Sequence, residues 1–155
     1  MRTLALFISH GAIFALGFAL GIYVLPILTA PDAPSAEQVR SMSGAVRYKA
    51  NFKKDIQGSD LFHWAEGQIS ISPTAVTFMG EIAPGPDYKL YLLKDLVETR
   101  EAFLNVKSQS VQIGDVKTFD NFIVSIPADI DINQYNAVLI WCESFEQFIS
   151  AARYR

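Results

Sequence analysis

The stretch EGQISISPTAVTFMG, residues 66–80, decides the fold because apolar and polar side chains alternate along both of its halves. Two isoleucines spaced two apart precede Pro73, and Val76 and Phe78 follow it at the same spacing. Successive side chains of a β-strand point to opposite faces, so this spacing predicts two strands that each bury one face. The proline between them marks a turn. The stretch therefore predicts a β-hairpin.

The same period of two recurs along most of the chain that follows residue 44. The further segments that carry it are AVRYKANFKK (45–54), DYKLYLL (87–93), QSVQIGDVKTFDNFIVSIP (109–127) and NAVLIWCES (136–144). We expect a turn at Gly114-Asp115 and the end of a strand at Pro127. Short strands at close spacing, with turn signals between them, are typical of an antiparallel β-sandwich or barrel. The predicted fold class is all-β, with one antiparallel β-sandwich-like domain.

Two segments depart from this pattern. KDLVETREAFLNV, residues 94–106, suits a helix or an irregular loop. FEQFISAARYR, residues 145–155, fits two structures equally well, since its apolar residues match both a helical stripe and one face of a strand. The sequence leaves that choice open.

The N-terminal segment, residues 3–30, contains no Asp, Glu, Lys or Arg. As a helix rising about 1.5 Å per residue it exceeds the roughly 30 Å hydrocarbon core of a bilayer. A cleaved signal peptide is the competing interpretation, but the apolar part of such peptides runs only about 7 to 15 residues. We therefore predict an uncleaved signal anchor that spans the cytoplasmic membrane once. Arg2 on its N-terminal side places the N-terminus in the cytoplasm and the rest of the chain in the periplasm or exterior.

This prediction divides the chain into three parts. Residues 1–30 form the anchor, residues 31–43 a Pro/Ala/Ser-rich linker, and residues 44–155 the β-domain. Within the anchor, Gly17 and Gly21 form a small-xxx-small pair, which lets two membrane helices approach closely. The pair gives a weak prediction of a homodimer.

Charge and residue counts narrow the classes of function. The formal net charge is −3 at pH 7, and outside the anchor only Lys53-Lys54 places two basic residues side by side, so nucleic acid is not expected as a partner. One cysteine excludes an intrachain disulfide. A structural zinc site needs about four ligands, and the domain offers one Cys and one His, so no metal site is expected.

The lone cysteine, Cys142, has apolar neighbours on its own strand face, because Val138 and Ile140 precede it at spacings of four and two. Burial among them would raise the pKa of the thiol. A reactive thiolate would then need a nearby cation, which neither Trp141 nor Glu143 supplies. These residues alone favour an unreactive core cysteine.

The sharper alternatives for Cys142 are a redox-active thiol and a ligand to non-covalently bound haem. A cysteine thiolate can hold haem iron, and histidine is the commonest alternative ligand. His63 is the only histidine outside residues 1–30 and is therefore the one candidate partner. Covalent c-type attachment needs a C-x-x-C-H motif, which the chain lacks.

Four blocks of the sequence resemble a known family, the DM-thirteen or "electron transfer" domain that occurs beside DOMON domains in animal cell-surface proteins. The blocks are GSDLFHWAEGQISI (58–71), EIAPGPDYKLYLL (81–93), GDVKTFDNFIVSIP (114–127) and AVLIWCESFEQFISAARYR (137–155). The resemblance runs from about Gly44 to the C-terminus, and the arrangement is similar to the stand-alone, membrane-anchored bacterial form.

The resemblance implies a β-sandwich outside the cytoplasm with a redox role that rests on one cysteine. That cysteine corresponds to Cys142, acting as a bare thiol or as a ligand to a prosthetic group such as haem. The DOMON and cytochrome modules of the animal proteins are absent from this sequence, so electrons would pass to or from a separate protein of the envelope. The alternative is a non-catalytic binding or structural module in which Cys142 is core packing.

Overall fold

A computed structural model of the chain describes residues 1–42 and 45–155. Gly44, the predicted start of the β-domain, lies outside the described residues. The helices are α1 (Arg2–Thr29), α2 (Ala36–Met42) and α3 (Arg100–Val106). The strands are β1 (Tyr48–Phe52), β2 (Ala65–Ile71), β3 (Ala75–Ile82), β4 (Tyr88–Leu93), β5 (Val111–Val116), β6 (Phe122–Ser125), β7 (Ala137–Cys142) and β8 (Gln147–Arg153).

The strands form two antiparallel four-stranded sheets that face each other, which confirms the predicted sandwich-like β-fold. The first sheet has the order β1-β2-β3-β6 and the second the order β5-β4-β7-β8. The hairpin predicted from residues 66–80 is present, and β2 pairs with β3 so that Ile71 lies opposite Val76. Its apolar side chains, with Phe78 among them, are buried between the sheets.

Strand β7 explains why the second sheet has two apolar faces. All six of its residues are buried. Val138, Ile140 and Cys142 point into the core between the sheets. The alternate residues, with Trp141 among them, belong to a second apolar cluster that contains Phe103 of α3. A strand covered on both faces has a continuous apolar run, as VLIW shows.

Two sequence-based expectations are resolved by the strand pairing. The prediction of a turn at Gly114-Asp115 is wrong, because both residues lie within β5 and pair with β4. The pairing shifts register at Leu90/Tyr91, and such an irregularity accommodates a glycine inside a strand. The ambiguous segment 145–155 forms strand β8, which pairs with β7.

Two helices precede the sandwich. Among the described residues, α1 is the one helix long and apolar enough to cross a membrane, a criterion that signal sequences also meet. Helix α2 lies in the segment expected to be a linker. Its N-terminus is a capping box, in which the Ser35 N–H donates to Gln38 Oε1 (2.7 Å) and the Gln38 N–H donates to Ser35 Oγ (3.2 Å). Val39 of α2 is buried, so this segment is docked on the domain.

Candidate functional site

A largely apolar cavity of about 270 Å³ lies where one end of the sandwich meets α1. Strand β4 begins there and β7 ends there, and Tyr88 lies opposite Cys142 in the pairing of the two strands. The cavity walls come from α1, from the loop before β2, from the turn before β4 and from the β7–β8 turn. Among the residues that line it are Tyr23, Phe62, His63, Tyr88, Cys142 and Phe145.

Cys142 lines this cavity from the last position of β7, although its exposed fraction is only 3%. Burial raises the pKa of its thiol, while hydrogen bonds from the backbone N–H groups of Phe145, Asp87 and Ser144 act in the opposite direction without cancelling the effect. The free thiol is therefore protonated at neutral pH. These hydrogen bonds favour the thiolate form of the sulfur.

His63 lines the same cavity and is oriented by a carboxylate. Its Nδ1 lies 2.8 Å from Asp60 Oδ2, and the Asp60 side chain also accepts the backbone N–H groups of Phe62 (2.7 Å) and His63 (2.9 Å). Burial acts to raise the pKa of Asp60, but these hydrogen bonds outweigh it and lower the pKa. A carboxylate on one ring nitrogen fixes the imidazole and leaves Nε2 as the atom that can bind a metal or ligand.

The turn APGPDY, residues 83–88, forms another wall of the cavity. The Tyr88 hydroxyl donates to the carbonyl of Ala83 (2.8 Å), so the tyrosine holds the turn from which it emerges. A Cβ at Gly85 would overlap the Tyr88 phenol ring, which explains the glycine between two prolines. The turn is also tied to β7–β8, because the Glu143 N–H donates to the Asp87 carbonyl (2.9 Å) and Ser144 Oγ donates to Asp87 Oδ2 (3.0 Å).

Comparison with known proteins connects this geometry to a family. A family model described as Electron transfer DM13 matches residues 51–154, which is more than half of the chain. The chain belongs to the DM-thirteen family. The matched range contains Cys142, His63 and the whole APGPDY turn. No curated protein and no solved structure matches the chain.

The cavity of this DM-thirteen domain contains two side chains of metal-ligand type, Cys142 and His63. In residues 1–42 and 45–155 no group of three or more His, Cys, Asp or Glu side chains is placed to hold a metal ion. The cavity instead offers one sulfur and one imidazole in apolar surroundings, and cysteine thiolates and histidine imidazoles each occur as ligands of haem iron. Its volume of about 270 Å³ lies below the usual range of small-molecule pockets, roughly 300–1,000 Å³, so a porphyrin would extend beyond it.

Sequence reasoning nominated Cys142 and His63, which line one cavity, but missed the residues that contact them there. Asp60 carries a local signal, since an aspartate followed by backbone N–H groups two and three residues on is a common turn motif. The pairing of Tyr88 with Cys142 and the contact of Tyr23 with Phe62 carry no such signal, because they join segments far apart in sequence.

Proposed function

We propose that this DM-thirteen chain is a membrane-anchored electron-transfer module whose redox centre is built on Cys142, outside the cytoplasm. The observation that carries the proposal is the common cavity, in which the sulfur of Cys142 and the imidazole of His63 share apolar walls. A largely apolar pocket with a few convergent polar groups is the usual form of a cofactor site. The family's electron-transfer description adds support.

A prosthetic group accounts for the surroundings of Cys142 better than a bare redox thiol does. The raised pKa keeps the thiol protonated at neutral pH, whereas nucleophilic thiols are thiolates with a lowered pKa. A reversible disulfide needs a second cysteine, and the chain contains one. Metal ligation removes both difficulties, because iron itself deprotonates the thiol that binds it.

Haem is the group that we propose, with Cys142 as thiolate ligand and His63 as the second candidate ligand. When bound, it supplies an iron centre that accepts and returns one electron at a time. The N–H groups directed at the sulfur would lower the electron density on the thiolate and so raise the reduction potential. Asp60 holds the His63 ring and keeps Nε2 as its free nitrogen. The apolar walls limit access of water to the centre.

The membrane part of the proposal rests on α1. Its length and composition support a single-pass anchor in the cytoplasmic membrane, with the β-domain on the periplasmic or exterior side, as expected for a chain with Arg2 at its N-terminal end. The domain would then exchange electrons with a separate donor and acceptor of the envelope.

The direct test adds haem to the full chain in detergent and follows absorption and reduction potential. We expect a Soret band whose saturation requires Cys142 and whose position changes in His63→Ala. Cys142→Ser removes the sulfur and keeps the size of the side chain. Val138→Ala is the matched control, because it removes core volume on the same strand face and keeps the sulfur. Loss of the band in Val138→Ala, or its retention in Cys142→Ser, would contradict a role of the sulfur as ligand.

A second candidate function is supported by the 3% exposure of Cys142 and its packing between Tyr88 and the β8 strand. In that case the thiol is core packing, and the domain is a non-catalytic binding or structural module of the envelope. This second function predicts that added haem gives no Soret band of a bound haem, either in the unsubstituted chain or in any variant. It also predicts that Cys142→Ala lowers the free energy of unfolding by about 1 kcal/mol or more through the cavity that it leaves.

A further inference from the structure

We propose that the end of the β-domain beside α1 inserts an apolar tip into the outer surface of the lipid bilayer. The tip consists of Leu61, Phe62 and Phe145. The inference rests on the membrane anchoring in the proposed function, and does not depend on whether Cys142 binds haem. It assigns the domain a fixed orientation on the membrane.

The tip stands out because large apolar side chains elsewhere in the domain are buried. Outside residues 1–29, the large apolar residues that are exposed among the described residues are Leu61 (78%), Phe62 (58%), Phe145 (56%) and Met42 (48%). Three of these four belong to two loops that line one end of the sandwich. Leu61 and Phe62 lie in the turn that Asp60 closes, and Phe145 lies between β7 and β8. Clustering of this kind marks an interaction surface.

The tip lies against the part of α1 that would leave the hydrocarbon. Phe62 packs edge-on against Tyr23 with ring centroids 6.5 Å apart, and Phe62 and Phe145 share the cavity wall with Ile22. Counted from Thr3, about 20 residues of helix reach Ile22 and span about 30 Å, the thickness of the hydrocarbon core. Tyr23 then lies at the lipid–water boundary, where tyrosine is enriched.

The polarity of the domain surface beside α1 changes along the helix in the direction that a bilayer requires. Pro26 and residues 29–31, which lie farther from the hydrocarbon, line a second cavity that also has charged side chains in its walls: Asp87, Lys89, Asp115 and Lys117. These side chains are joined by ion pairs, with Lys89 Nζ 2.8 Å from Asp87 Oδ1 and 2.9 Å from Asp115 Oδ1. Thus the domain is charged beside the outer end of the helix and apolar roughly 10 Å nearer the hydrocarbon.

The chemistry of the tip fits lipid better than it fits a protein partner. Trp64 follows the tip by two residues, and Lys54 Nζ lies 3.8 Å from the centroid of its ring. Tryptophan and lysine are typical of the membrane interface, where the ring lies at the level of the headgroups and the ammonium group meets phosphate. The tip is also continuous with a membrane-spanning helix, so a protein that covered it would compete with the bilayer beside it.

The test places tryptophan at four positions of the full chain in nanodiscs made from phosphatidylcholine and phosphatidylglycerol with brominated acyl chains. Phe62→Trp and Phe145→Trp probe the tip. Ala128→Trp is the control, because Ala128 is exposed and lies just after Ile126, whose N–H binds Thr74 at the other end of the sandwich. Phe14→Trp, in the middle of α1, tests whether the anchor lies in the hydrocarbon core. Difference fluorescence against the unsubstituted chain removes the signals of Trp64 and Trp141.

We expect bromine to quench most of the added fluorescence at Phe62→Trp, Phe145→Trp and Phe14→Trp, and to leave Ala128→Trp unquenched. Quenching at Phe14→Trp with none at Phe62→Trp and Phe145→Trp would overturn the insertion of the tip into the bilayer. The membrane anchoring by α1 would then still be supported. Absence of quenching at all four positions would overturn both the tip and the membrane anchoring. Equal quenching at Ala128→Trp and Phe62→Trp would overturn the fixed orientation.

Discussion

At the scale of single residues, Cys142 serves two structural demands at once. Its side chain completes the core between the sheets, beside Tyr88 and Ile140. It also ends β7, and hydrogen bonds from backbone N–H groups of the following turn act to lower the pKa of its thiol without cancelling the effect of burial. Cys142 is thus buried and also lines a cavity. Of these features, the sequence alone predicts the apolar neighbours and the raised pKa.

Raised pKa values predict how stability depends on pH. Burial raises the pKa of Cys142, Tyr88 and Tyr154, so the native chain binds their protons more tightly than the unfolded chain does. Their contribution to the free energy of unfolding is therefore at its full value below the unfolded thiol pKa of about 8.5, and it decreases as pH rises through the unfolded tyrosine value of about 10.

Urea unfolding of the full chain in detergent at neutral pH and near pH 10 measures this effect. Cys142→Ser removes the thiol contribution and should make the decrease shallower at the lower end of that window. A free energy of unfolding that rises between the two pH values would contradict the assignment.

The hydroxyl of Tyr88 should contribute measurably to stability. Tyr88→Phe leaves the Ala83 carbonyl without its donor, and we expect a loss of about 1–3 kcal/mol in the free energy of unfolding. Gly85→Ala should cost at least as much, because the new methyl group displaces the Tyr88 ring. Urea titrations of both variants check the prediction. Wild-type stability in Gly85→Ala would show that the turn accommodates a side chain.

At the scale of secondary-structure elements, alternation of apolar residues predicted most strands because one face of each strand is buried. The prediction failed where local signals compete with tertiary structure. Gly114 resembles a turn residue, yet it continues β5 because the strand is paired with β4 across a register shift. Residues 145–155 fitted a helix or a strand, and pairing with β7 selects the strand. Neither pairing partner can be deduced from the local sequence.

Helix α3 gives a prediction at the same scale, because it covers the outer face of the second sheet through one aromatic residue. Phe103 is buried and packs on Trp141 with ring centroids 4.7 Å apart. Phe103→Ala should lower the free energy of unfolding by about 3–5 kcal/mol, whereas Leu104→Ala, at a half-buried position, should cost less than about 2 kcal/mol. Thermal or urea unfolding distinguishes the two, and equal losses would contradict the assigned face of α3.

At the scale of the whole molecule, the candidate site is an assembly of segments that are distant in the chain. The loop around His63, the 83–88 turn, the end of β7 and the part of α1 around Tyr23 meet at one end of the sandwich. Sequence analysis could nominate the two ligand-type residues, since the domain has one of each. It could not predict that Cys142 and His63 line one cavity, because their spacing along the chain gives no distance between loops of different sheets.

The glycine pair of α1 remains a prediction about assembly. Both glycines are open, with nothing within 4 Å of an added Cβ at either Gly17 or Gly21. Close packing of two anchors through this pair predicts that Gly17→Leu and Gly21→Leu each reduce chemical crosslinking of the full chain in membranes, while Gly11→Leu does not. Unchanged crosslinking in all three variants would exclude the dimer through this face.

The most direct measurement is the reduced-minus-oxidised absorption spectrum of the full chain extracted from its own membranes without added cofactor. We expect a Soret band that shifts on reduction, is absent from Cys142→Ser and persists in Val138→Ala. A chain that is featureless beyond its aromatic absorption, with its one thiol fully alkylated after unfolding, would contradict a redox centre at Cys142.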